Sequence, residues 1–333
     1  MNLRVVVNVE RCKRLGEFLK NLDFPKAQEE PVRYDIPDVA MANLYFAMVA
    51  ICHQTTPHNG PALQGYVGGK LRKGWDYLRE RMIKETEADF AFVSPANLSA
   101  MSGARIEAML HDSEFGSTVT DADGRAKILN DIGLKMQELE IEGVWPLYLR
   151  SGGWLASKGS AGLIKMLSEF STYRADPVQK KTFFFLALMF NQGYWNYQDP
   201  ENLGTPVDYH EVRGHLRLGT AEILDSELRA KILAGQEVTR EDDIDIRRAV
   251  FDAIMGVSAI SGRTPNDLHY FFWNVFRNCC RRDETHCDGC GKHPSLPERY
   301  GALSPKQCVF ASNCGSTSLE VKLADHLVNT DLY

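Results

Sequence analysis

An all-α protein is predicted for this 333-residue chain from three features. Apolar residues recur at the helical period of about 3.6 in several stretches, and strand-like alternation is scarce. From Val178 to Trp195 the chain is almost wholly apolar beyond Lys181, the pattern of a helix buried on nearly every side. The length is about twice that of a ~150-residue unit, which leaves two lobes or one large helical domain. With 44% hydrophobic and 25% charged residues, the composition excludes a disordered chain, a collagen and a disulfide miniprotein. Lys+Arg 38 against Asp+Glu 44 gives a net charge of -6. That argues against wholesale wrapping of nucleic acid but leaves room for a local basic groove.

The elements follow in order. In PDVAMANLYFAMVAICHQ the residues Val39, Ala40, Leu44, Tyr45, Met48, Val49 and Cys52 keep the helical period, Pro37-Asp38 suits a helix start, and Thr56-Pro57 ends it. HNGPALQGYVGGKLRKG is broken by glycine and reads as a long loop. WDYLRERMIKETEADF reads as a charged amphipathic helix, SPANLSAMSGARIEAML as a helix capped by Asn or Ser, and DADGRAKILNDIGLKMQEL as another. Glycine clusters at Ser151-Gly152-Gly153 and Lys158-Gly159-Ser160 bracket short segments. Residues 196–207 hold Pro200, Gly204 and Pro206 and form a loop, after which IDIRRAVFDAIMGVSAI and NDLHYFFWNVFRNCC are helices. There is no internal repeat. The N-terminal MNLRVVVNVERCKRL lacks a signal peptide's apolar core, and the longest apolar run, Phe183 to Phe190, is too short to cross a bilayer. A cytoplasmic protein with no membrane partner is expected.

Lys181 opens the apolar helix, and Asp208 follows the turn Thr205-Pro206-Val207. A lysine at that position loses solvation, which depresses its pKa and frees the amine to act as a nucleophile. A carboxylate after a Pro-fixed turn can activate a nucleophile or face positive charge developing on a sugar. Structural roles compete: Lys181 as a snorkelling helix-end residue, Asp208 as a helix cap.

Of eight cysteines, Cys12 and Cys52 lie alone, whereas Cys279, Cys280, Cys287, Cys290, Cys308 and Cys314 crowd into the last sixth of the chain. In a reducing compartment this favours metal or cluster ligation over disulfides. Cys287, Cys290, Cys308 and Cys314 approach a zinc-ribbon pattern, and thiolates suit zinc and iron-sulfur alike. Arg277, Arg281, Arg282, Lys292 and Lys306 surround the segment as potential phosphate contacts, diluted by Asp283, Glu284 and Asp288.

KKTFFFLALMFNQGYW followed by TPVDYHEVRG resembles the Lys-Thr helix and Pro-Val-Asp segment of the archaeal 8-oxoguanine DNA glycosylases, a branch of the helix-hairpin-helix glycosylase superfamily. AICHQTTP, LRKGWDYLRERM and DIRRAVFDAIMGVSAISGRTPNDLHYFFW resemble further segments in the same order, the last also shared with the queuosine-salvage N-glycosylases. The matches span roughly residues 40–280. The resemblance implies a two-lobed helical domain over 1–278 with its active site in the inter-lobe cleft, a Cys-rich metal loop over 279–316 and a tail over 317–333. It implies catalytic roles for Lys181 and Asp208 and a base contact for Gln54, whose amide donates and accepts. It further implies a stacking wall at Trp75; apart from the resemblance, His210 and Glu211 can contribute acid/base chemistry or serve at the helix start. Cys280-x6-Cys287-x2-Cys290 reproduces the first three ligand spacings of the [4Fe-4S] loop of many DNA glycosylases, with Cys308 as the fourth ligand after an insertion. Zinc is the alternative. Two departures stand out: RADPVQKK replaces the family's Gly-x-Gly phosphate-binding turn, and the Asp-Tyr-Arg-x-Pro-Gln pattern of the queuosine-salvage enzymes is not matched at Asp208 to Val212.

The expected function is a monomeric DNA N-glycosylase that flips and excises a modified base, in repair or anti-phage defence. The alternatives are a nucleotide N-ribohydrolase of the queuosine 5'-monophosphate salvage type and a non-catalytic, metal-stapled nucleic-acid-binding protein.

Overall fold

The structure, a computed structural model, describes residues 4–27, 32–57, 60–156, 162–303, 306–317, 319 and 321–332. The glycine cluster at 158–160 lies outside the described residues. The chain is mostly helical. Its principal helices are α1 (Val9–Lys20), α2 (Asp38–Ala50), α3 (Trp75–Ala88), α4 (Ala122–Glu138), α5 (Lys180–Asn191), α6 (Tyr209–Leu218), α7 (Arg240–Ser261) and α8 (Pro265–Cys279). The strands described are short and form three two-stranded antiparallel sheets: β1 (Val5–Val7) with β6 (Ala221–Ile223), β2 (Gln64–Val67) with β3 (Lys70–Lys73), and β4 (His111–Asp112) with β5 (Gly116–Ser117). Among the described residues, no helix is long and apolar enough to cross a membrane.

The chain divides into two compact units, one of residues 1–29 and 203–329, the other of 30–202 and 330–333. In the second unit α2 is buried without interruption from Met41 to Ala50, which is why its apolar residues fill more of its surface than one stripe. It packs against α5. Phe46 stacks on Tyr173 at 4.2 Å and meets Phe185 of α5 edge-on at 5.2 Å, and the Tyr173 hydroxyl donates to the Phe46 carbonyl at 2.6 Å.

The glycine-rich segment after α2 differs from the expected loop. Gly68 and Gly69, at φ 57° and 76°, form the two-residue turn whose left-handed residues match the twist of a hairpin. Strands β2 and β3 flank it in the register Tyr66↔Leu71 and Val67↔Lys70. Gly65 is equally required, because a Cβ there would stand 2.6 Å from the Tyr77 ring of α3.

In the first unit α1 packs along α7 and α6 against α8. The N-terminal strand β1 was not foreseen. It pairs with β6 just beyond α6, Val5 opposite Ile223, and so ties the two ends of this discontinuous unit together. Helix α8 presents Phe271, Phe272 and Phe276 to Phe310, each ring pair 5.3–5.6 Å apart. Helix α6 lies close to α8 because residue 214 is glycine: an added Cβ would stand 2.2 Å from the Phe276 ring. Overpacking a filled core costs about 1–3 kcal/mol, so Gly214→Ala is expected to lower unfolding free energy by that amount in a urea titration, despite alanine's better helix propensity.

Candidate functional site

The second unit gathers a group of buried cations at the C-terminal end of α2. The last carbonyls of a helix have no intrahelical partner. Here the guanidinium of Arg125, 1% exposed, reaches back from α4 to satisfy this end, donating to the carbonyls of Ile51 and of His53, the latter at 2.8 Å. Cys52, His53 and Gln54 are thereby fixed. Gln54 is held in the left-handed region at φ 44°, a conformation that costs a non-glycine residue energy and persists only where surroundings impose it.

Lys181 faces this end from the start of α5. It is 1% exposed and donates to Thr172 Oγ1 at 2.8 Å. Burial pushes its pKa down to about 8, with Lys180 reinforcing the shift and Cys52, Asp331 and Asp176 opposing it. The sequence reading passed over its neighbour. Lys180 Nζ lies 3.4 Å from Cys52 Sγ and 4.8 Å from the centre of the Phe184 ring, and the same ring lies 4.8 Å from Trp75. Trp75 thus joins the amine cluster through Phe184. The imidazole of His53 is driven down to about 2, first by burial and then by Arg125, Lys181 and Lys180, so it is neutral at every physiological pH. Its Nδ1 is buried without a hydrogen-bond partner.

The segment before α5 is closed by the chain itself. Asp176, 1% exposed, accepts from the amides of Val178 at 3.0 Å and Lys180 at 2.9 Å. A carboxylate of the protein therefore occupies these amide donors.

In the first unit Asp208 is the N-cap of α6, as its competing reading proposed, and it has a further contact. Oδ1 accepts from the amides of His210 at 2.7 Å and Glu211 at 3.3 Å, and Oδ2 accepts from Trp273 Nε1 of α8 at 3.2 Å. The carboxylate is consequently fixed in orientation while remaining half-buried. His210 Nδ1 lies 2.8 Å from Arg213 Nη2; since arginine only donates, this nitrogen accepts. Burial lowers the His210 pKa to about 4, against the pull of Asp208 and with Arg213 and Arg277 adding to the effect. The ring is neutral near pH 7.

The same helix reaches the cysteine segment. Four free thiols, those of Cys280, Cys287, Cys308 and Cys314, line one cavity together with Arg217 and Phe310. Cys290 is bonded instead to Cys279, with their Cα atoms 5.5 Å apart. The expected ligand set of Cys280, Cys287, Cys290 and Cys308 thus differs from the group that shares the cavity: Cys314 stands in place of Cys290. Cys314 belongs to the zinc-ribbon alternative that the spacing offers, whereas the cluster motif, completed by Cys290, leaves it out. Backbone bonds hold the group, Cys308 N to Cys287 O at 2.6 Å and Gly315 N to Leu218 O at 3.2 Å. Arg217 Nη1 donates to Cys280 Sγ at 3.2 Å. Burial pushes the Cys308 thiol up to about 12, with the other three thiols contributing. Soft thiols in this number fit iron-sulfur or zinc, although among the described residues no three His, Cys, Asp or Glu side chains are grouped as ligands of a metal ion.

Lys181, Gln54 and Trp75 accordingly belong to one unit, and Asp208, His210 and the thiols to the other. No protein-family model and no curated protein matches the chain.

The Arg125 arrangement yields a stability test. Arg125→Met removes the donors to two buried carbonyls, and a charged hydrogen bond is worth about 1.5–3 kcal/mol; a loss of about 2–4 kcal/mol is expected by denaturant unfolding.

Proposed function

We propose that the protein is an N-glycosylase that excises a modified base from DNA by cleaving its base–sugar bond. The observation that carries the reading is the fixed Asp208 carboxylate, held by two amides and the Trp273 indole. A carboxylate that cannot rotate away is suited to face an oxocarbenium-like sugar and to activate the attacking group. Lys181 adds a desolvated amine close to neutrality, which can attack the anomeric carbon and lead through a Schiff base to strand scission. Gln54, held in its strained backbone, contacts the base edge, and Trp75 with Phe184 stacks on an extruded ring. Flipping costs a few kcal/mol, which favours an altered or poorly paired base. Repair of the genome and attack on hypermodified phage DNA both use this chemistry.

The four thiols of Cys280, Cys287, Cys308 and Cys314 would hold a [4Fe-4S] cluster, zinc being the alternative. Such a group, when bound, would staple the C-terminal segment to α6. The chain's own residues supply the rest: Arg217 neutralises thiolate charge at Cys280, and Arg213 anchors the Cys280 carbonyl at 2.6 Å. Iron and acid-labile sulfide are expected in anaerobically purified protein; Cys314→Ser should lose them while Cys290→Ser keeps them, and stoichiometric zinc without iron would decide for the alternative.

A second reading has an observation of its own. Because Asp176 fills the amides before α5, the usual grip on a DNA phosphate is lost, which favours a free nucleoside monophosphate as substrate. Mass spectrometry separates the two. Free base is expected from duplex DNA carrying modified bases, and release from modified nucleotides alone would reject the leading proposal. Asp208→Asn should slow release at least about a hundredfold, in line with the loss of one preorganised electrostatic group. Binding that persists in this variant, without release by the wild type, would indicate the non-catalytic module. Since the amine must be unprotonated to attack, borohydride trapping at Lys181 is expected to rise with pH and level off above about 8. Turnover without any trapped species at any pH would eliminate the Schiff-base route and leave Lys181 as electrostatic support.

A further inference from the structure

The hairpin β2–β3 concentrates positive charge on a chain whose net charge is -6. No Asp or Glu occurs between Asp38 and Asp76, while Lys70, Arg72 and Lys73 fall within four residues. One face of the hairpin is committed to the fold: Gly65 lies against Tyr77, and Arg72 pairs with Glu80 at 2.7 Å. Its backbone is fastened along the outer edge of β2, by Tyr66 N to Asp112 Oδ2 at 2.8 Å and Gln64 N to Thr118 Oγ1 at 2.9 Å. The opposite face is open. Tyr66 and Leu71, directly paired across the strands, are 43% and 41% exposed. The Tyr66 ring is stacked with Phe115 at 5.9 Å and 19°; Lys73 stands exposed on this face, and Lys70, on the face of Arg72, is exposed beside the turn.

The root of the hairpin adjoins the candidate substrate residues. Leu63 N donates to Thr55 O at 2.9 Å, and Gly74 N donates to Leu63 O at 2.7 Å. Gln54 therefore precedes the hairpin's first anchor by one residue, and Trp75 follows its last anchor by one.

We infer that this hairpin is the element that holds the polynucleotide strand, Lys70 and Lys73 neutralising backbone phosphates and the Tyr66–Phe115 face receiving an unstacked base. Exposed aromatic rings interleaved with cations are the physical means of gripping a strand without reading its sequence. The inference rests on the proposal that DNA is the substrate, and it accounts for the observation most awkward for that proposal: with the amides before α5 filled by Asp176, the strand's charge is met on the hairpin instead.

The test uses the full-length protein and a fluorescent DNA duplex with a central abasic-site analogue, with anisotropy followed from low to moderate salt. Each phosphate contact contributes about 0.9 to the slope of log affinity against log salt. Lys70→Gln/Lys73→Gln is expected to reduce that slope by about 2, whereas Lys70→Arg/Lys73→Arg keeps it and Lys84→Gln/Lys127→Gln, on exposed positions of α3 and α4, leaves it unchanged. Tyr66→Ala should weaken binding roughly five- to a hundredfold, as expected for one lost stacked base. Circular dichroism of each variant should match the wild type, since the altered side chains are exposed. Wild-type binding with unaltered affinity and slope in both hairpin variants would overturn the hairpin inference and leave the DNA reading standing. Absence of DNA binding by the wild type, with base release from free nucleotides, would overturn both.

Discussion

Helix α6 is buried from Glu211 to Leu218 although it carries Glu211, Arg213, His215 and Arg217. Breaking a buried pair by removing one partner typically costs about 3–5 kcal/mol, so each of these groups must be met by another part of the chain. Glu211 meets His269 of α8 at 2.5 Å, and His215 meets Thr220 at 2.7 Å. Arg213 takes the buried Asp325 at 2.6 Å, which also binds Arg282. Arg217 takes the carbonyls of Cys280, Arg281 and Leu323 as well as the Cys280 sulfur. The C-terminal segment is thereby drawn onto α6, and the four thiols collect around the helix's last turn. The same helix begins at Asp208. One set of charge-pairing requirements thus places both the carboxylate and the thiol group of the first unit.

The second unit solves a different electrostatic problem. Arg125, Lys180 and Lys181 are all buried near the end of α2. Asp176, the nearby buried carboxylate, is engaged with backbone amides. Hydrogen bonds to Thr172, to backbone carbonyls and to Cys52, with the face of Phe184, take up their donors. The consequence is a lysine whose pKa burial lowers to about 8 and a histidine kept neutral near pH 7. Displaced titrations of this kind cluster at functional sites, though structural ion-pair networks produce them too.

Much of the helical framework was legible in the sequence because it depends on local pattern. The period in PDVAMANLYFAMVA gave α2, and the apolar run after Lys181 gave α5. The hairpin was not legible, since Gly68-Gly69 reads as an interruption unless a turn with two left-handed residues is considered. Strand β1 is only three residues long and acquires its meaning from β6, more than two hundred residues away. The same limit applies to the site. Lys181 and Asp208 stood out by their positions at helix starts, whereas Lys180, Arg125 and Arg217 owe their roles to partners distant in the chain. Cysteine spacing revealed a thiol-rich segment but assigned Cys290 by the shortest motif; the structure joins Cys290 to Cys279 and brings Cys314 forward.

The departure at RADPVQKK now has a physical content. A glycine turn offers bare amides to an anion, whereas Asp176 brings its own anion to the same amides, and a second negative group would be repelled there. On the proposed glycosylase reading, the substrate's phosphate would have to be met elsewhere, or the substrate would lack a flanking strand. Between Asp38 and Asp76 the chain carries no acid, and its lysines and arginine lie in the hairpin that begins and ends beside Gln54 and Trp75, so on the proposed reading the hairpin is where a strand's phosphates would be met.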